Sequence, residues 1–526
     1  MAHMGLFAPA GKAKGATTKN EAGGRAYAFT SEHALAQYVA TGTLHGTFYA
    51  NEADQLDKLA GFAKASSDEF VAKAAVYSRT HGHMKDAPAF LVAHLAARNT
   101  ALMKRVFPRV IDNGKMLRNF VQIVRSGVTG RKSLGSAPKH AAQAWFRARS
   151  PEAIWKSSIG TRPSMSDVIR LVRPAPKGED GQTDAVREAL YGYLIGKDVN
   201  VERLPPAVLA YEAWKKSGGP VPDVPFEMLT ALPLGTEQWS EIARHMTWQQ
   251  TRINLNTLLR HGVFGDPAMV SRVASRIADP GEVRRARVFP FQLLAAFRAA
   301  SANMPPEITL ALQSALEVSI ENVPSVKGKV YLCPDVSGSM HSPVTGNRGS
   351  ATTSVRCIDV AALVSAAFLR RNVGAEVIPF SDDIVPVTLN PLDSVMTNSD
   401  VLSRLPSGGT ACSAPLRHLN KGNKTGDLVV YVSDNMSWAD FERPGIDTGT
   451  RGTVMAEEWA RFKRRSPNAR LVLIDLQPYA STQVTSHSDV LNVGGFSDVV
   501  FDITARFARG ELEGDHFVEE IAKINL

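Results

Sequence analysis

Cysteine is scarce in this chain: Cys333, Cys357 and Cys412 are the only three in 526 residues, and their spacing pairs none of them. That excludes a disulfide framework, argues against zinc ligation, and fits the reducing cytoplasm, where the protein is expected to reside. Long hydrophobic runs are also missing. None approaches the roughly 20 residues that a membrane-spanning helix requires, so no membrane association is expected. No secretory signal is read at the start. Met1-Ala2-His3-Met4 reads as a cloning remnant, and the Gly/Lys/Ala-rich stretch after it, through residue 25, as a disordered tail. Acidic residues are nearly absent from residues 101–150, which hold 11 Lys+Arg and a single Asp.

What is present is ordinary globular material, 44% hydrophobic and 21% charged, in a chain long enough for two to four domains. The net charge of +9 is unevenly spread: residues 1–326 carry 40 Lys+Arg against 28 Asp+Glu, and residues 327–526 carry 20 against 23. The concentration over 101–150 predicts a positive surface that attracts polyanions and binds them salt-sensitively.

From Ala26 to Asn322 the apolar spacing is helical, as in Phe70–Tyr77, Ala89–Ala96 and Met116–Val124. Proline and glycine interrupt it at Pro88, Pro108, Gly127, Pro138, Pro151 and beyond, and no β-alternation of useful length is seen. Many short helices predict stacked helical pairs, an α-solenoid without a strict period, over residues 26–324. After Pro324 strand-like runs at Lys329–Val336, Ala375–Phe380, Leu428–Val432, Leu471–Leu476 and Val490–Val493 alternate with helical stretches at Val355–Arg371, Thr453–Arg465 and near the C-terminus. Such βα alternation with nearly all-apolar strands predicts a doubly wound parallel sheet over residues 325–526.

The first of those strands runs into Asp335-Val336-Ser337-Gly338-Ser339. A carboxylate and two hydroxyls at a strand's C-terminal end gather hard oxygen ligands where open α/β sheets bind their ligands. Gly408-Gly409-Thr410 adds a loop hydroxyl, and Asp434 comes after the strand Leu428–Val432. In this order the pieces are similar to the metal-ion-dependent adhesion site of von Willebrand A domains. The expected metal ligands are Asp335, Ser337, Ser339 and Thr410, directly or through water, with Asp434 in the same site or just behind it. Oxygen donors suit Mg²⁺, with Mn²⁺ or Ca²⁺ as alternatives, and an open coordination position would accept an acidic residue of a partner. Without a metal, the same residues would be a strand–turn with hydroxyls capping the next helix.

The helical half carries its own likeness. Gln37-Tyr38-Val39-Ala40-Thr41-Gly42 with Gly46-Thr47-Phe48-Tyr49 resembles the opening signature of the TROVE module of Ro autoantigen proteins. Arg79-Thr80-His81-Gly82-His83-Met84-Lys85-Asp86-Ala87-Pro88, Pro163–Leu171, Met246–Leu259 and Arg287-Val288-Phe289-Pro290-Phe291 are similar to later parts of that module. A TROVE module followed by a von Willebrand A domain is the Ro architecture, bacterial counterparts included. The resemblance implies HEAT-like repeats closed into a ring, Y or Y-like RNA on a basic outer surface, and single-stranded 3′ ends of structured or misfolded non-coding RNA in the central hole. It further implies a monomer without catalysis, tied through RNA to the exoribonuclease polynucleotide phosphorylase in RNA quality control or processing. One departure stands out. Vertebrate members have a histidine in the Pro163–Leu171 segment where Met165 or a neighbour stands here, which questions a side-chain-specific contact but not the electrostatic one.

Candidate phosphate contacts are Arg79, Lys85, Lys104, Arg105, Arg109, Lys115, Arg118, Arg125, Arg131, Lys132, Lys139, His140 and Arg170, because cations neutralise phosphates and arginine adds bidentate geometry. Trp145 and Trp155 are placed to stack on bases but are more often packing residues. His81 and His83 lack a third ligand nearby, and Cys412 lacks a nucleophile's partners. Two rival functions remain. One is a metal-dependent protein-interaction scaffold; the other is a hydrolase using Asp335, disfavoured because no second aspartate of a DxDxT pattern and no general base is evident.

Overall fold

The computed structural model describes residues 15–41, 52–160, 162–178, 181–286, 288, 290–300, 302–323, 325–344, 355–440, 452–477, 479–495 and 499–526. Gly42, Gly46–Tyr49, Arg287 and Phe289 of the quoted motifs lie outside these residues, as does Pro324. Two compact units are formed. One draws on Ala63–Met246, Thr257–Asp266 and Ile521–Leu526; the other draws on Met1–Phe62, Thr247–Asn256 and Pro267–Glu520.

The first unit is helical, and its helices start and stop for local reasons. Ser67, Asn99 and Asn113 each accept a hydrogen bond from the backbone N–H three residues on, opening the helices Asp68–Thr80, Thr100–Val110 and Gly114–Ser126. Gly127, at φ 90°, ends the last of these in the left-handed conformation that glycine adopts without strain. Within Gly114–Ser126, Met116, Leu117, Phe120, Val121 and Val124 are buried, the spacing of one apolar helix face. Asp68–Thr80 packs against Asp86–Arg98, which packs in turn against Thr100–Val110 and Gly114–Ser126, so neighbours in sequence are neighbours in space as in a helical-repeat array. Arg187, only 4% exposed, donates to Phe146 O at 2.7 Å and Arg149 O at 2.8 Å, tying the helix Ala185–Leu194 to the end of Ser136–Arg147.

The second unit is built on a five-stranded parallel sheet. Its strands are β3 (Val330–Pro334), β4 (Glu376–Val377), β5 (Leu428–Ser433), β6 (Arg470–Asp475) and β8 (Val490–Gly494), in the order β4-β3-β5-β6-β8. Every residue of β3 and β5 is buried, which requires cover on both faces. The helix Cys357–Arg371 covers one face. On the other, Leu416 and Leu419 of helix Ala414–Lys421 join Met455, Trp459 and Phe462 of helix Val454–Arg465 in a cluster with Tyr331, Val429, Tyr431 and Leu471. Beyond β4 the run Ala375–Phe380 stays paired with β3, Ile378 N donating to Leu332 O at 2.7 Å and Phe380 N to Pro334 O at 3.1 Å, and Phe380 bridges both Asp335 and Ile384.

Three features depart from the sequence reading. Part of the expected tail is paired: β1 (Thr18–Lys19) and β2 (Arg25–Ala28) form an antiparallel sheet with β7 (Ser481–Thr482), in strands too short to show alternation. Helices Val395–Ser403 and Ala414–Lys421 stand where the pattern reads no helix. Finally, Pro290–Ala299 packs on Cys357–Arg371, and Pro306–Ser319 on Val395–Ser403, so the last helices before Asn322 belong to the sheet unit although secondary structure changes character where the pattern does.

Candidate functional site

Asp335 leaves β3 with its N–H donating to Val432 O at 2.9 Å, while Val336 N donates to Phe380 O at 2.9 Å. These bonds pin the start of the Asp335–Ser339 loop between neighbouring strand ends. Asp335 is fully buried; its Oδ1 accepts from Ser337 N at 2.8 Å and its Oδ2 from Ser433 Oγ at 2.5 Å. The hydroxyls of Ser337 and Ser339 lie 3.3 Å apart, and the Ser339 hydroxyl pulls the Asp434 carboxyl down against the push of burial. Asp434, 1% exposed, accepts at Oδ1 from Met436 N at 3.2 Å, but its Oδ2 is buried without a hydrogen-bond partner among the described residues.

The loop bearing Thr410 is drawn into the same place. Gly338 N donates to Gly408 O at 3.0 Å, and Thr410 O accepts from Trp438 N at 3.0 Å and Ala439 N at 3.1 Å. Thr410 itself is buried. The five expected ligand residues thus stand on three loops that hydrogen-bond one another. Sequence reasoning missed Asp382, whose carboxylate accepts from Gly409 N at 2.9 Å and lies 2.3 Å from where a Cβ on Gly408 or Gly409 would sit. A side chain at either glycine would push that carboxylate aside, and the Ser381-Asp382-Asp383 run after a strand was the available signal.

Burial dominates the electrostatics of this cluster. Burial, with the Asp434 charge second, pushes the Asp335 carboxyl up to about 7. Burial also raises Asp434. A third buried carboxyl, Asp475 at the end of β6, sits one strand over and is raised by burial and then by Asp434. Buried carboxyls with raised proton affinity and one unpartnered oxygen are what a hard divalent cation would relieve. The donors present, two carboxylates and three hydroxyls, are oxygen only and fit Mg²⁺. Cys333, Cys357 and Cys412 are buried and burial pushes each thiol up, which is the opposite of what a thiolate nucleophile needs.

In the helical unit the thirteen candidate phosphate contacts divide by what they touch. Arg79 is held by Asp112 at 2.7 Å, Arg131 donates to Ala96 O at 2.6 Å, Arg170 to Ile195 O at 2.7 Å, and Arg109 to Asn525 O. Arg118 is buried, donates to Ser157 O at 3.2 Å, and its guanidinium is pushed down by burial. These five anchor helices. Lys85, Lys104, Arg105, Lys115, Arg125, Lys132 and His140 are exposed, Lys139 is half-buried, and none of the eight has an ion pair or hydrogen bond among the described residues. Trp145 is buried with the Arg149 guanidinium 3.8 Å over its ring, and Trp155 packs on Tyr211, so neither offers a free stacking face. His81 stacks on Tyr77 and bonds Thr80 Oγ1 at 2.9 Å, and Met165 is a buried first-turn residue behind the Ser164–Asp167 capping box.

Comparison with known proteins bears on both units. The Ro60 vWA domain family model matches residues 329–508. "RNA-binding protein RO60" of Deinococcus radiodurans is 25% identical over 539 aligned residues, covering 94% of this chain and 96% of that one. The Caenorhabditis elegans protein of the same name is 24% identical over 261 residues, 47% of this chain and 38% of its own length. In fold, the crystal structure of the Deinococcus radiodurans Ro (RSR) protein matches with a TM-score of 0.62 at 21% identity, over 92% of this chain and 100% of that one.

Proposed function

From the premise that this chain belongs to the Ro family, whose von Willebrand A domain it carries, we propose that it is a non-catalytic RNA-binding protein of non-coding RNA quality control. Y or Y-like RNA lies on the basic surface of the helical unit, and the opening of the helical repeats takes the single-stranded 3′ end of structured or misfolded RNA. An exoribonuclease of the polynucleotide phosphorylase class, tethered through RNA, acts on what is held, in the cytoplasm. The observation that carries this reading is the set of exposed cations without partners among the described residues: Lys104, Arg105, Lys115 and Arg125 on two successive helices, and Lys132 in the loop that follows. A duplex meets such a surface through its phosphates, whatever its base sequence. Hairpins with and without a single-stranded 3′ tail, titrated at low and high salt, test both parts. The tailed hairpin should bind more tightly and keep that advantage as salt rises. Equal affinities would refute uptake of the end, and no binding even at low salt would refute the RNA reading.

The unpartnered Asp434 Oδ2 supports a second, compatible reading for the sheet unit. Asp335, Ser337, Ser339, Thr410 and Asp434 hold Mg²⁺, which supplies an open position for a carboxylate of a protein partner. Mg²⁺ or Mn²⁺ should raise the melting temperature of the wild type and not of Asp434→Asn. A metal response that survives the substitution would move the cation elsewhere.

A further inference from the structure

The residues just before β2 are built onto the loop that carries Asp434. Asn20, 6% exposed, donates from Nδ2 to Ser437 O at 2.8 Å, and its Oδ1 accepts from Gly24 N at 2.8 Å. Asn20 N donates to Gly24 O at 2.8 Å, closing a tight turn in which Gly23 takes φ 84°. Gly24 passes so close that a Cβ there would stand 2.1 Å from Ser437 O. Ala22 packs on Met436 and Tyr479, and Gln483 Nε2 reaches both Arg25 O and Asn435 O at 3.4 Å. β2 then pairs with β7, Tyr27 opposite Thr482 and Ala28 opposite Ser481.

Ser437 is a junction of the cation site. Its hydroxyl accepts from Cys412 N at 3.0 Å and donates to Asp440 Oδ2 at 2.8 Å, and Asp440 in turn accepts from Ser413 Oγ at 2.5 Å. The two residues after it grip Thr410 O, and Met436 N, just before it, bonds Asp434 Oδ1. Ser437 therefore lies between Asp434 on one side and the Thr410 loop on the other, and its own carbonyl is fixed by Asn20. We propose that the Asn20–Gly24 turn is a positioning element that sets the divalent-cation affinity of the Asp335–Asp434 site by holding the loop 434–440 against the Thr410 loop. The proposal rests on the reading of that site as a cation centre. Groups that orient metal ligands from behind typically contribute about 10- to 100-fold to metal affinity.

Two variants of the full chain test it. Asn20→Asp keeps the acceptor for Gly24 N but turns the donor facing Ser437 O into an acceptor; Gly24→Ala forces the turn off the loop. Mn²⁺ titrations followed by electron paramagnetic resonance should show affinity weakened about tenfold or more in both, with faster amide exchange at 435–440 in chelator and unchanged exchange in β5 and β6. A purely structural turn would lower the melting temperature in chelator and leave the Mn²⁺ affinity of the folded protein at the wild-type value, and that outcome overturns the proposal. Absence of Mn²⁺ binding by the wild type overturns the cation reading itself, so the two failures are distinct.

Discussion

Neutralising Lys104, Arg105, Lys115 and Arg125 together to glutamine should flatten the salt dependence of RNA binding by an amount that can be worked out beforehand. Each phosphate contact contributes roughly 0.7–0.9 to the slope of log K against log salt. Four contacts therefore account for a slope of about 3, and for roughly 50- to 150-fold in affinity between about 50 and 200 mM salt. The four side chains are exposed and lack partners among the described residues, so their loss should leave the melting temperature nearly unchanged. Arg79, Arg131 and Arg170 form the contrasting set, because each already spends its donors on Asp112, Ala96 O or Ile195 O. Replacing those three should lower stability and change the slope by less than one contact's worth. The assay is fluorescence anisotropy of a labelled hairpin over a salt series, with melting curves on the same preparations. A quadruple variant that keeps the wild-type slope would refute the assignment of this surface, and a slope change in the anchored set would show that the division by partner is wrong.

Metal-free protein should lose stability as pH rises. The Asp335 carboxyl is raised from 3.8 to about 7 in the fold, so the folded state holds its proton more tightly, and that contribution is present below about pH 4 and gone above about 7. On the proposed reading of this site Mg²⁺ takes the proton's place, so the gap between melting temperatures with Mg²⁺ and with chelator should widen from pH 5.5 to 8; a gap that does not change with pH would contradict this. Asp359, fully buried, takes Arg298 at 2.9 Å and Arg356 at 2.8 Å. Replacing both arginines with methionine should cost about 3–5 kcal/mol by urea denaturation, and adding Asp359→Asn should recover part of it. Arg187→Met should cost about 2–4 kcal/mol by the same measure, because the buried Phe146 O and the part-buried Arg149 O lose the guanidinium that donates to them; a cost under about 1 kcal/mol would show that water takes its place.

The grouping of Asp335, Ser337, Ser339 and Asp434 was legible because they sit at or just after the ends of strands that announce themselves. A run such as Leu428–Val432, apolar at every position, has no reading but a strand buried on both faces, and the residues directly after such a strand must lie at the sheet's C-terminal edge. Asp382, Ser433 and Asp475 were not legible in the same way. Their roles depend on which strand ends become neighbours, and the pairing of Ser433 with Asp475 is a fact of strand order rather than of local pattern. Arg118 was not legible: at about 100° per residue it stands at the margin of the apolar face, roughly 200° from Met116, and its burial comes with the contact to Ser157 in a later segment. The N-terminal turn left almost no trace, since strands of two and four residues cannot display alternation and the partner that ties β2 to the sheet unit lies more than 450 residues away.

Charge balance within the basic segment sharpens what that segment can do. Residues 101–150 hold one acidic side chain, Asp112, and the structure gives it to Arg79, a cation from outside the segment. No carboxylate within the segment is left to neutralise its own arginines and lysines. Arg109, Arg118, Arg131 and Arg149 turn instead to backbone carbonyls, which satisfy their donors without cancelling their charge. The anchored cations therefore still add to the field that Lys104, Arg105, Lys115 and Arg125 present directly to solvent. Attraction of a polyanion depends on the whole segment, whereas the ions displaced on binding are counted only at the side chains free to reach a phosphate. For that reason the slope with salt, rather than the affinity at any one salt concentration, separates the contacting residues from those that only contribute to the field.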